Sequence, residues 1–104
     1  VAVFDRPVSA IQCAGAVTRM LGAIGLPIRA GIHTSEIELR DGEIRGLGLH
    51  VAARVMDTAE SGGVVVSRTV RDLVIGSNIS FRANGEYDLK GVEGSWDLYC
   101  VVDQ

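Results

Sequence analysis

A chain of 104 residues, 47% of them hydrophobic and 22% charged, is large enough for one hydrophobic core and too small for two. Its formal charge of −3 and the lack of a basic cluster argue against a general nucleic-acid binder, and two Phe, two Tyr and one Trp are too few for an RNA-stacking sheet. No apolar run reaches the roughly 20 residues that a membrane-spanning helix needs.

In chain order, VAVF (residues 1–4) reads as an apolar strand. Asp5 is placed to cap a helix that has Pro7 in its first turn and runs to about Ala23. Ala10, Cys13, Val17, Leu21 and Ile24 recur at helical spacing and are expected to form the buried stripe, widened by Met20. Gly15, Ala16, Gly22 and Ala23 line a second side with small residues, so another element could lie close there. Gly25 ends the helix and Pro27 prevents its return.

Residues 28–34 alternate, with Ile28, Ala30 and Ile32 on one face and Arg29, Gly31 and His33 on the other. Alternation resumes over 36–40 with the parity flipped, which predicts a bulge near Thr34 and Ser35. RDGE (40–43) is a tight-turn signal, and Ile44 lies on the return strand of a hairpin. A helix is expected over 47–60, closed by Gly62 and Gly63, then a short buried strand, VVV (64–66). Ser67 is a good cap for a short helix to Val74. Two strands, 79–90 and 95–102, are joined around KGVEG, with Gly91 and Gly94 supplying the turn. The order β–α–β–β–α–β–α–β–β implies an α+β fold, with helices on one face of a largely antiparallel sheet. Cys13 and Cys100 read as reduced, packed thiols of a cytoplasmic protein, a single disulfide being the alternative.

The segment GLGLHVAARV (46–55) holds the candidate functional residues. On a helical projection Leu49, Ala52, Ala53, Met56 and Ala59 face a core, while His50, Arg54 and Asp57 fall together on the opposite side. That geometry alone fits a solvated face with an Arg54–Asp57 pair. It also fits anion binding, because the planar guanidinium of Arg54 suits phosphate oxygens and His50 could donate a second hydrogen bond. Gly46 and Gly48 would let a ligand approach the helix start. Two familiar phosphate motifs fail: there is no G-x-x-x-x-G-K-[ST], and Val51 stands where the dinucleotide fingerprint requires Gly or Ala. His33, mid-strand and without a second His or Cys at metal spacing, reads as a hydrogen-bonded structural histidine. Glu36, Glu38 and Glu43 read as the wet face and turn of the hairpin, Asp5 as a cap rather than a metal ligand, and no nucleophile–base pair is evident.

Taken together, these segments resemble the C-terminal part of a class III adenylate/guanylate cyclase catalytic domain. FDRPVSAIQCA (4–14) is similar to the family's F-D-G-P-x-x-A-I-x-C-A, and RAGIHTSEIEL (29–39) to its R-x-G-[IL]-H-T-G-E-[VI] strand. GLGLHVAARV resembles G-x-x-[VL]-N-x-A-[AS]-R, and VVVSRTVRDLV with DLKGVEGSWDLYCV resembles the closing strand, helix and hairpin.

The resemblance implies a ferredoxin-like cyclase fold whose N-terminal strand–helix part lies before Val1, so that 1–104 form the C-terminal portion of one domain. It implies conversion of ATP, less often GTP, to the 3′,5′-cyclic nucleotide and pyrophosphate at a dimer interface. The Mg²⁺ or Mn²⁺ ions of that chemistry are held by two aspartates of the domain's first half, so this chain alone binds no metal and is expected to be inactive. By position, Arg54 and His50 fall on the pair that stabilises the reacting phosphate, and Glu43 on the base-selecting position. His50 replaces an asparagine, Glu43 the usual Asp or Thr, Ser35 a turn glycine and Arg6 the glycine after Phe-Asp. The alternative is a non-catalytic cyclase-like module that dimerises or senses nucleotides in a signalling regulator. A sheet lacking its first strands is expected to self-associate as a homodimer or strand-swapped oligomer; no nucleic-acid partner or membrane segment is expected.

Overall fold

The computed structural model describes the backbone of residues 6–33, 38–40, 43–45, 47–60 and 62–102, with side chains for 6–33, 51–60 and 62–102. The described residues form three helices, α1 (Pro7–Ala23), α2 (Leu47–Asp57) and α3 (Arg68–Leu73), and six strands. The strands are β1 (Ala30–Ile32), β2 (Glu38–Arg40), β3 (Glu43–Arg45), β4 (Val64–Ser67), β5 (Ser80–Asp88) and β6 (Ser95–Val102). Four of them form one sheet in the order β1-β4-β6-β5. The β1–β4 pair is parallel and the other two pairs are antiparallel, so the sheet is mixed, with antiparallel pairing in the majority. β2 and β3 form a separate hairpin, with Arg40 opposite Glu43. The α+β class agrees with the sequence, and so does the element order from Glu43 onward; the segment 28–40, read as one bulged strand, instead supplies two strands, β1 and β2, that belong to different sheets. The proposed first strand, Asp5, the bulge at Thr34 and Ser35, and Gly46 lie outside the described residues.

The helices cover both faces of the sheet, not one. β4 shows why: all four of its residues are buried, and consecutive ones enter different cores. Val65 joins Val51 and Val55 of α2 and Ala59 just beyond it with Leu89 and Leu98, while Val66 joins Ile11 of α1 with Val70 and Val74. A strand buried on both faces has no wet side to mark with polar residues, so it reads as a continuous VVV run.

Two helix faces differ from expectation. In α1 the buried residues are Ile11, Gly15 and Thr18, whereas Cys13 is exposed and Val17, Met20 and Ile24 are 39%, 67% and 69% exposed. The helix anchors through Ile11, and Thr18 turns its hydroxyl back onto the Gly15 carbonyl at 3.0 Å, so a polar residue can sit where apolar spacing pointed elsewhere. Both cysteines are free, and Cys13 is not a packed thiol. Its start is also one residue later: the cap position is Arg6, with no side-chain cap, and Pro7 supplies the pre-set φ of the first turn. Its end is as read. Gly25 takes φ +82°, its N–H bonds Gly22 O at 3.2 Å, and the Leu26 N–H bonds Leu21 O at 2.8 Å.

In α2 the core side is Val51 and Val55, continued past the helix end by Ala59, with Ala53 exposed. Ala52 and Met56 instead lie where the helix backbone meets β1 at Gly31. The helix therefore uses two adjoining sides, one for the core and one for the strand, and the projection had merged them.

At β5 an irregularity between Ala83 and Gly85 reverses the strand's parity. Phe81 packs with Val101 in the α1–α3 core, while Tyr87 packs with Trp96 in the α2 core. Gly85, at φ +105°, supplies the conformation that permits the reversal.

Candidate functional site

Arg54 lies on α2, flanking the buried Val51–Val55 side, and its side chain is 34% exposed. Its Nη1 approaches Asp57 Oδ2 at 3.4 Å, a long contact between exposed groups that contributes little to stability. Its Nε is buried and has no hydrogen-bond partner among the described residues. The side chain is thus packed at Nε and partly exposed as a whole, a placement in which a guanidinium can meet an anion's oxygens. His50 lies one turn earlier on the same helix, and Glu43 opens β3. The side chains of His50 and Glu43 lie outside the described residues, so the three candidates share a segment without a defined side-chain geometry. Among the described residues no group of three or more His, Cys, Asp or Glu is arranged to hold a metal ion. The described residues therefore do not fit the metal centre that the resemblance implies.

His33 follows β1, and its Nδ1 shares a 2.8 Å hydrogen bond with the Ser67 hydroxyl. Its ring meets the Trp96 ring edge to face, centroids 5.4 Å apart at 78°. Burial lowers the imidazole pKa below its ordinary value. This is the structural histidine expected, with a partner that sequence reasoning assigned otherwise. Ser67 does occupy the N-cap position of α3, but its side chain makes no cap bond there. The contact follows from the strand register: Ile32 pairs with Val66 in parallel, which carries the next residues, His33 and Ser67, to opposite positions. Gly31 was also passed over as one member of an alternating strand, although an isolated glycine inside a strand marks close backbone approach.

A mixed four-stranded sheet with helices on both faces and a separate β2–β3 hairpin matches the fold of cyclase domains, and similarity in sequence shows the family: the chain is a nucleotidyl cyclase-like domain. Among solved structures it is similar to an adenylate/guanylate cyclase/hydrolase from Silicibacter pomeroyi, with a TM-score of 0.84 at 24% identity over 97% of this chain and 64% of that one. It is also similar to the adenylyl cyclase CyaB from P. aeruginosa, with a TM-score of 0.54 at 25% identity over 66% of this chain and 37% of that one. In sequence it is 31% identical, over 86% of its length, to a Rhizobium meliloti protein named "Putative adenylate cyclase 3". It is 40% identical, over 73% of its length, to an uncharacterized protein of Mycobacterium tuberculosis. The chain spans 17% and 26% of the lengths of these two relatives. No family model matches the sequence. No helix among the described residues is long and apolar enough to cross a membrane.

Proposed function

We propose that residues 1–104 are the C-terminal portion of an adenylate cyclase domain that, in the full-length protein, converts ATP to 3′,5′-cyclic AMP and pyrophosphate. In that reaction a bond forms between the ribose 3′-oxygen and the α-phosphorus, the hydroxyl proton is lost, and the bond to the pyrophosphate oxygen breaks. Arg54 is the residue that contacts the reacting phosphate, where a fixed guanidinium stabilises charge as it develops. The observation that carries this reading is the state of Arg54: among the described residues its 34%-exposed side chain has one contact, 3.4 Å to Asp57, and a buried Nε without a partner. His50 would add a donor one turn away, and Glu43 would stand at the position that selects the base. The relative named as an adenylate cyclase supports ATP over GTP. Mg²⁺ or Mn²⁺ would be held by residues other than those described, and the site would be completed across a homodimer in the cytoplasm. The 104-residue chain alone would then make no cyclic nucleotide.

The test is cyclase activity of the full-length protein with ATP and with GTP, in Mg²⁺ and in Mn²⁺. Arg54→Ala should lower kcat about 10²- to 10³-fold with the melting temperature unchanged. A full-length protein that makes no cyclic nucleotide yet binds ATP would assign it instead to the non-catalytic, nucleotide-sensing class. Full activity in Arg54→Ala would remove Arg54 from the site.

A further inference from the structure

Gly31 is the residue of β1 that touches α2 most closely. A Cβ placed there would lie 2.6 Å from the Ala52 carbonyl oxygen and 2.7 Å from Met56 Cα, and nearer still to the Met56 backbone nitrogen. These are atoms of the helix backbone, so no side-chain rotation relieves the overlap. The φ of Gly31 is not in the positive region that glycine favours, in contrast to Gly25, Gly62, Gly76, Gly85, Gly91 and Gly94. Conformation therefore does not call for glycine at position 31; space does. Ordinary contact would require the helix to back away by about 1 Å.

The direction of that movement matters. Ala52 and Met56 are one turn apart, and Arg54 lies between them in sequence and nearly opposite them around the helix, at about 100° per residue. A helix lifted from β1 carries Arg54 outward by a similar distance. The Arg54 Nε is buried although its side chain as a whole is 34% exposed, so its surroundings are of the kind that a change in the depth of α2 would alter. β1 is paired with β4 and tied to it two residues later by the His33–Ser67 hydrogen bond, so a shift of the strand in place of the helix would disturb contacts that a shift of α2 leaves in place.

We infer that Gly31 is a positioning residue for Arg54: by having no side chain it seats the backbone of α2 on β1 and sets the depth at which the guanidinium is presented. This rests on the reading of Arg54 as the phosphate contact. A misplacement of about 1 Å at a reacting group is enough to cost on the order of 10²-fold in rate. The loss should fall on kcat with KM little changed, as for an interaction made in the transition state.

The test uses the full-length protein. In ¹⁵N-labelled protein the Arg54 Nε–H cross-peak is identified by its disappearance in Arg54→Lys, and its exchange with solvent is measured. Gly31→Ala should speed that exchange at least tenfold and lower kcat about 10- to 100-fold. Val70→Ala, a cavity in the opposite core, is the control for lost stability and should leave both unchanged. If Gly31→Ala does not fold, Ala52→Val adds bulk to the turn lying against β1 and should give the same two effects more mildly. Exchange and kcat in the Gly31 or Ala52 variant matching those of Val70→Ala, at equal loss of melting temperature, would overturn the inference. An unchanged rate in Arg54→Lys and Arg54→Ala would instead remove the phosphate role, while the exchange measurement would still decide whether Gly31 sets the seating.

Discussion

His33 Nδ1 and the Ser67 hydroxyl, 2.8 Å apart, tie the residue after β1 to the last residue of β4, continuing the parallel register of these strands into a side-chain contact. Burial holds the His33 pKa down, so between the folded value and the unfolded value of about 6.5 the unfolded chain binds a proton that the folded chain refuses. The stability that this contributes is complete above pH of about 6.5 and is lost as pH falls through the folded pKa. Melting temperatures from pH 7.5 down to 5 should therefore fall more steeply in the native protein than in His33→Gln. Parallel profiles would show that His33 does not carry the difference.

The same bond predicts coupling between its two partners. Ser67→Ala should cost about 1 kcal/mol, a typical net value for a hydrogen bond. If the hydroxyl serves His33 rather than the end of α3, the cost should largely vanish in a His33→Gln background. An undiminished cost there would return Ser67 to a capping role.

α1 gives a contrast between two apolar residues. Ile11→Ala should destabilise by about 2–5 kcal/mol because Ile11 is fully buried, whereas Met20→Lys should stay within about 0.5 kcal/mol. Urea titration of the two variants is the check, and the reverse order would restore the Cys13–Val17–Met20 stripe as the packed face.

Gly85 holds the parity change in β5 at φ +105°, a region that a side chain strains. Gly85→Ala should cost about 1–2 kcal/mol, and near-UV circular dichroism should report disturbance of Tyr87 and Trp96, which pair just beyond it. A neutral substitution would mean that β5 can reverse without glycine.

What was legible in the sequence follows from what leaves a local trace. The end of α1 was readable because Gly25 must take positive φ, and β4 because burial on both faces leaves a run of valines. The buried side of α1 was not, because Thr18 satisfies its own hydroxyl and so hides among apolar positions. The core side of α2 was misread because the helix meets two different surfaces, and a single projection averages them. The helices' division between two sheet faces is set by β4 lying between β1 and β6, a pairing no local signal encodes. For the site, the periodicity placed His50, Arg54 and Asp57 on one side, and the Arg54–Asp57 contact agrees with it. The partner of His33 was missed because it depends on a parallel register between strands separated by a hairpin and a helix.

That separation also orders events in time. β5 and β6 are joined by residues 89–94, so their antiparallel pairing closes a short loop, while β1 and β4 enclose the hairpin and α2 between them. Loop closure makes the second pairing the slower to form. Amide exchange should accordingly protect 80–88 and 95–102 more strongly than 30–32. The register that brings His33 to Ser67, and with it the strand on which α2 rests, would then be the last part of the sheet to assemble and the first to open.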